Sequence, residues 1–158
     1  MRRPIALALA LAVTSLLAGC NTRYIPNTDV EDNDENRKVV SFCEKYRHAV
    51  ENKNIAALLK LAAPNYYEDG GNVDPSDDID FAGLKAYLQG KFQDAQAIRY
   101  EIRYRKVGEH RGSYYVDYTF SASYRIPGMK GEEWHRKVDD NRLELVPFQD
   151  DFRIIAGM

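Results

Sequence analysis

From Arg37 onward apolar residues return every three or four positions, at Val39, Phe42, Cys43, Tyr46, Ala49 and Val50. That spacing predicts an amphipathic helix of about four turns. Asn52-Lys53-Asn54 interrupts it, and Asn54 is placed to cap a second, shorter helix carrying Ile55, Leu58, Leu59 and Ala62, stopped by Pro64. A polar loop follows Tyr66-Tyr67, and Asp80 is placed to cap a third helix that turns Phe81, Leu84, Tyr87 and Leu88 inward and closes at Gly90.

Beyond residue 97 the period changes from three-and-four to two. Ile98, Tyr100, Ile102 and Tyr104 alternate with Arg99, Glu101, Arg103 and Arg105, the signature of a half-buried strand. After a turn at Gly108–Gly112, Tyr114, Val116, Tyr118, Phe120, Ala122 and Tyr124 form the apolar set of a second strand. A turn at Pro127-Gly128 leads into a long third strand from Glu132, with a bulge expected near Asp139-Asp140-Asn141 before Leu143 and Leu145 resume the apolar face. Phe152, Ile154 and Ala156 mark a last strand. Three helices followed by an antiparallel meander make an α+β order, with helices covering the apolar side of a curved sheet and the charged side wet.

The N-terminal end reads differently. Arg2 and Arg3 precede an apolar run from Ile5 to Val13 that extends, with Thr14 and Ser15 inside it, to Ala18. A membrane-spanning helix needs roughly 20 apolar residues, so this stretch has the proportions of a secretory signal instead. Leu17-Ala18-Gly19-Cys20 resembles a bacterial lipobox. The resemblance implies a signal peptide over residues 1–19, a diacylglycerol on the Cys20 thiol and a mature chain beginning there. Asn21 follows the cysteine where an inner-membrane retention signal would have Asp, which implies the outer membrane of the cell envelope. Residues 20–36 are then a lipidated Cys and an acidic flexible tether. Its 16 residues from Asn21 to Asn36, five of them acidic, lack the apolar surface to fold, and would span about 22 Å as a coil. The domain occupies residues 37–158.

Composition narrows the partners. The chain has 158 residues with 22 basic and 24 acidic side chains, which is one domain's worth of chain without the basic excess of a nucleic-acid binder. Loss of residues 1–19 would leave 20 basic against 24 acidic, a net charge of −4. With Cys20 acylated, Cys43 has no disulfide partner in its own chain and is read as a buried, inert thiol.

The segment Asn54-Ile55-Ala56-Ala57-Leu58-Leu59 with Ala63-Pro64-Asn65-Tyr66, and the ending Asn141-Arg142-Leu143-Glu144-Leu145-Val146 with Phe152-Arg153-Ile154-Ile155-Ala156-Gly157, resemble a nuclear-transport-factor-2-like (NTF2-like) domain. The resemblance covers residues 37–157 and implies a cone of curved sheet and helices around a pocket. That superfamily includes isomerases, dehydratases, ligand binders and scaffolds, so the fold does not choose among them.

The chemistry-bearing residues point to binding rather than catalysis. No phosphate loop, dinucleotide fingerprint or nucleophile elbow is present. His48, His110 and His135 fall on a helix, a turn and a strand, and the acids Asp69, Asp74, Asp77, Asp78 and Asp80 lack the spacing of a calcium loop. No cofactor and no metal is expected. Alternation puts Asp117 and His135 on the wet face, while Arg136 shares parity with Trp134 and is expected inward, facing Glu44 or Asp69. Tyr46, Tyr67, Tyr100, Tyr118, Trp134 and Arg136 are the expected lining of a site for a small apolar or amphipathic ligand, because buried phenols need partners for their hydroxyls. The alternatives are a protein partner, a structural assembly role, or an isomerase- or dehydratase-like enzyme.

Overall fold

The computed structural model describes residues 22–71, 73–128 and 131–158. The expected signal peptide and Cys20 lie outside these. Among the described residues no helix is long and apolar enough to cross a membrane.

Helix α1 (Asp34–Glu51) starts where Asn33 accepts a hydrogen bond from the Asn36 amide at 2.8 Å. Asp34 and Glu35 in its first turn favour the positive end of the helix dipole. Its stripe of Val39, Val40, Phe42, Cys43, Tyr46 and Ala49 is buried, as the periodicity predicts. Helix α2 (Ile55–Leu61) is capped by Asn54, which accepts from the Ala57 amide. Short strands β1 (Tyr67–Glu68) and β2 (Ile79–Asp80) pair antiparallel. Helix α3 (Phe81–Phe92) is capped by Asp80. It runs through Gly90, and Phe81 stays 38% exposed, so Leu84 and Leu88 alone carry its buried face.

Four strands form one antiparallel sheet in chain order: β3 (Ala97–His110), β4 (Ser113–Gly128), β5 (Gly131–Phe148) and β6 (Asp151–Ala156). Three helices on one side of a curved antiparallel sheet give the expected α+β class. The inner face places Tyr100, Tyr104, Val116, Tyr118, Leu143, Leu145, Phe152 and Ile154 in one core with the α1 stripe. The C-terminal strand is locked from both sides. Residue Ala62 bridges to Ile154 in parallel, and the Ala63 amide donates to the Ile154 carbonyl at 2.8 Å.

Two expectations are corrected. The first concerns bulges. Between β4 and β5 the register is unbroken from Tyr114↔Leu145 to Gly128↔Gly131, with no irregularity at residues 139–141. The bulges lie instead between Tyr104 and Lys106 on β3, and between Glu144 and Leu145 where β5 meets β6. One residue of slip flips every side chain beyond it. The face of Leu143 and Leu145 therefore continues through Asn141, Asp139, Lys137 and His135, and Trp134 and Arg136 turn outward.

The second concerns the acidic segment, which is folded on itself from Arg23 onward and bound to the domain at Asp29 and Val30. Tyr24 bridges to Glu31, the Asp32 amide donates to the Arg23 carbonyl at 2.7 Å, and Thr28 caps the turn between them. Val30 is 2% exposed in the core. The Asp29 amide donates to the Tyr104 carbonyl, and its carboxylate takes Arg103 at 2.6 Å and Arg105 at 2.8 Å. Composition suggested solvation here, but Asp29 answers two arginines of β3, Asp32 answers Arg37 of α1, and one valine supplies the buried anchor.

Candidate functional site

The β4–β5 hairpin is longer than the helical layer that covers it. Its inner face begins under α1 and emerges beyond it, so that residues 131–142 are exposed throughout. Register fixes what stands on that face: Tyr118 opposite Asn141, Phe120 opposite Asp139, Ala122 opposite Lys137, and Tyr124 opposite His135.

The deep end is a floor of phenols. Tyr46, Tyr100 and Tyr118 are 5%, 6% and 1% exposed, so they fill the cone where an enclosed chamber was expected. The Tyr46 and Tyr100 rings meet edge to face at 6.4 Å, and Tyr100 and Tyr118 both contact Phe120, at 5.5 and 6.4 Å. The three hydroxyls interact with one another. Asn141 holds the open side, its amide donating to the Tyr118 hydroxyl and to the Gly157 carbonyl, each at 3.1 Å. Burial pushes all three phenols upward in pKa, so they remain neutral donors and acceptors at physiological pH.

The open end is a lip of mixed charge. Lys137 lies 5.7 Å over the Phe120 ring and 3.2 Å from Asp139. The hydrogen bond from Lys137, and then the Asp140 backbone amide, hold Asp139 below the usual carboxylate range. His135 stacks on Tyr124 at 5.8 Å and stands 3.9 Å from Glu133. An apolar ring beside a cation and an anion suits an amphipathic molecule. General acid–base work would call for a carboxylate lifted toward neutrality, and Asp139 is shifted the other way.

Of the six expected lining residues, Tyr46, Tyr100 and Tyr118 come together. The other three do not. Tyr67 is 52% exposed on β1, its hydroxyl bonded to Asp78. Trp134, 51% exposed, lies on the outer sheet face under the Arg99 guanidinium at 5.2 Å. Arg136 is on that outer face too, donating to Ser121 at 3.2 Å. The acids expected to meet it are engaged elsewhere. Glu44 accepts from Tyr104 and Arg47, both at 2.7 Å, and Asp69 accepts from the Gly71 amide. Asp117 does stand on the outer face, paired with Arg142 at 2.6 Å, whereas His135 is on the inner one. Phe120, Lys137, Asp139 and Asn141 were missed. Counting by twos back from Leu145 without a bulge finds the last three, and Phe120 already stood in the apolar set of β4.

Among the described residues no three His, Cys, Asp or Glu side chains gather as a metal site. Cys43 is fully buried, and burial pushes its thiol up.

In sequence, no family model and no curated protein matches the chain. Solved structures do match it in shape. A protein similar to the calcium/calmodulin dependent protein kinase II association domain, from Xanthomonas campestris, is 14% identical at a TM-score of 0.63, over 86% of this chain and 90% of that one. A scytalone dehydratase-like protein from Novosphingobium aromaticivorans is 11% identical at 0.61, over 78% and 80%. An NTF2-like superfamily protein from Salmonella enterica is 5% identical at 0.62, over 77% and 86%. At such identities the likeness is one of fold, and the fold is NTF2-like.

Proposed function

We propose that this chain is a lipid-anchored envelope protein whose NTF2-like domain binds a small amphipathic ligand at the open end of its concave face, without transforming it. The observation that carries the binding reading is the junction of Tyr100, Tyr118 and Phe120 with Lys137 and Asp139: an aromatic floor running into a charged lip. An apolar body would lie on Phe120, and its polar group would meet Lys137 or the Asn141 amide.

The test uses 8-anilinonaphthalene-1-sulfonate, an anionic aromatic dye, titrated into the full chain in detergent. Phe120→Ser and Lys137→Gln should each weaken uptake by about tenfold, the scale of one lost buried contact or charge-assisted bond. Uptake unchanged in both variants would defeat the reading. A dehydratase-like reading draws on the scytalone dehydratase-like neighbour, but the depressed pKa of Asp139 favours binding.

The anchor rests on Leu17-Ala18-Gly19-Cys20. Two or three acyl chains at Cys20 would hold the protein firmly, each buried methylene contributing about 0.8 kcal/mol. Cys20→Ala should move the protein from the membrane fraction to the soluble one, and an unaltered distribution would contradict the anchor. Asn21 supports the outer membrane as its destination.

A further inference from the structure

The outer face of the same hairpin carries a second cluster. Arg99 on β3, Ser123 on β4 and Arg136 on β5 stand in one cross-strand row. The two arginines are therefore two strand spacings apart, about 10 Å between Cα atoms. In the next row Trp134 pairs with Arg125. Arg99, Ser123, Trp134 and Arg136, with His135 between the last two in the chain, line a shallow groove of about 320 Å³.

Charge on this face is distributed unevenly. Toward the other end of the sheet the arginines are answered: Arg103 and Arg105 by Asp29, and Arg142 by Asp117. At the groove only Arg125 is. It takes Glu132 at 2.8 Å, yet among the described residues its buried Nε has no hydrogen-bond partner. Arg136 has the Ser121 hydroxyl and Arg99 the Trp134 ring, and neither forms an ion pair among the described residues, although Glu101 shares the face. Two guanidinia without carboxylates, rooted on strands either side of Ser123, leave several N–H donors without an anion. Beside them is a half-exposed indole.

We propose that this groove binds an oxyanion, carboxylate or phosphate, joined to a flat ring. The anion bridges Arg99 and Arg136 with the Ser123 hydroxyl beneath it, and the ring packs on Trp134. Guanidinium is the group suited to both halves, because its fork matches an oxyanion while its plane stacks on aromatic rings. The site is separate from the concave one and does not depend on it.

Trp134 is the chain's sole tryptophan, so its fluorescence reports on the groove directly. The full chain in detergent is titrated with phenyl phosphate, benzoate, inorganic phosphate and benzyl alcohol. Saturable quenching by phenyl phosphate or benzoate, at least tenfold tighter than by inorganic phosphate or benzyl alcohol, is the expected result, and which of the two binds identifies the anion. Arg99→Gln and Arg136→Gln should each weaken it by about tenfold, and Lys38→Gln on α1 should not. Equal binding of all four probes, or undiminished binding in both arginine variants, overturns the proposal. Calorimetry on the unmodified chain tests it without any variant: no more heat with phenyl phosphate or benzoate than with inorganic phosphate overturns it as well. So does a dimer formed through this face that neither ringed probe displaces.

Discussion

Tyr118 and Asn141 stand directly opposite each other on β4 and β5, and the asparagine amide bonds the phenol and the Gly157 carbonyl together. One side chain thus closes the phenol floor and fastens the C-terminal residues to it. Asn141→Leu would leave both oxygens without their donor, at a cost of about 1–3 kcal/mol. Urea unfolding should show a lowered midpoint with an unchanged slope, and a wild-type midpoint would mean the amide is idle.

The expected bulge shows how far sequence reaches. Element order, the caps at Asn54 and Asp80, and the buried faces of α1 and β4 were legible because each rests on local spacing. The candidate site was half legible for the opposite reason. Tyr46, Tyr100 and Tyr118 follow from periodicity alone, but along residues 133–141 the apolar side chains, Trp134 and Val138, stand on the parity that turns outward, and Glu133, His135, Lys137, Asp139 and Asn141 stand on the other. Only pairing with β4 decides which set faces inward, and pairing is not a local property. The acidic segment failed similarly, since its partners Arg103 and Arg105 lie more than 70 residues away in the chain.

Val30 tests that segment. Buried at 2% exposure, it should cost about 1–3 kcal/mol when cut to alanine. For a free tether the same change would be neutral in thermal or chemical unfolding.

Asp29 adds a dependence on pH. The hydrogen bonds from Arg103 and then Arg105 hold its carboxyl at about 2, against an ordinary 3.8. A depressed native pKa means stability that is fully present above the unfolded value and lost as pH falls through the folded one. Asp29→Asn should therefore melt below wild type at pH 7 and at pH 5, with the gap closing toward pH 2. A gap of constant size across that range would show that the carboxylate is not the source.

Two glycines predict unequal outcomes. At Gly157, with φ +93°, an added Cβ would stand 1.9 Å from the Arg142 carbonyl oxygen, a backbone atom that cannot step aside. Gly157→Ala should cost about 2–4 kcal/mol and release the end of the chain from Glu68 and Tyr66, which it bonds through the Gly157 and Met158 amides. At Gly108 the clash is with the Tyr115 ring, a surface side chain that can swing off. Gly108→Ala should cost about 1 kcal/mol. Equal losses in calorimetric melting would refute the distinction.

Cys43 should resist alkylation by iodoacetamide in the native protein and react once urea unfolds it, because burial disfavours the thiolate. Native labelling of Cys43, read by mass spectrometry of its peptide, would contradict that.

The clasp at Asp29 and the strand-like pairing from Arg23 onward shorten the leash. Only three peptide units separate Cys20 from backbone already engaged at Arg23, a reach of about 10 Å. An acylated Cys20 would then moor the domain closely enough that its tumbling follows the leaflet, with the sides it shows the envelope narrowed by where it is tied.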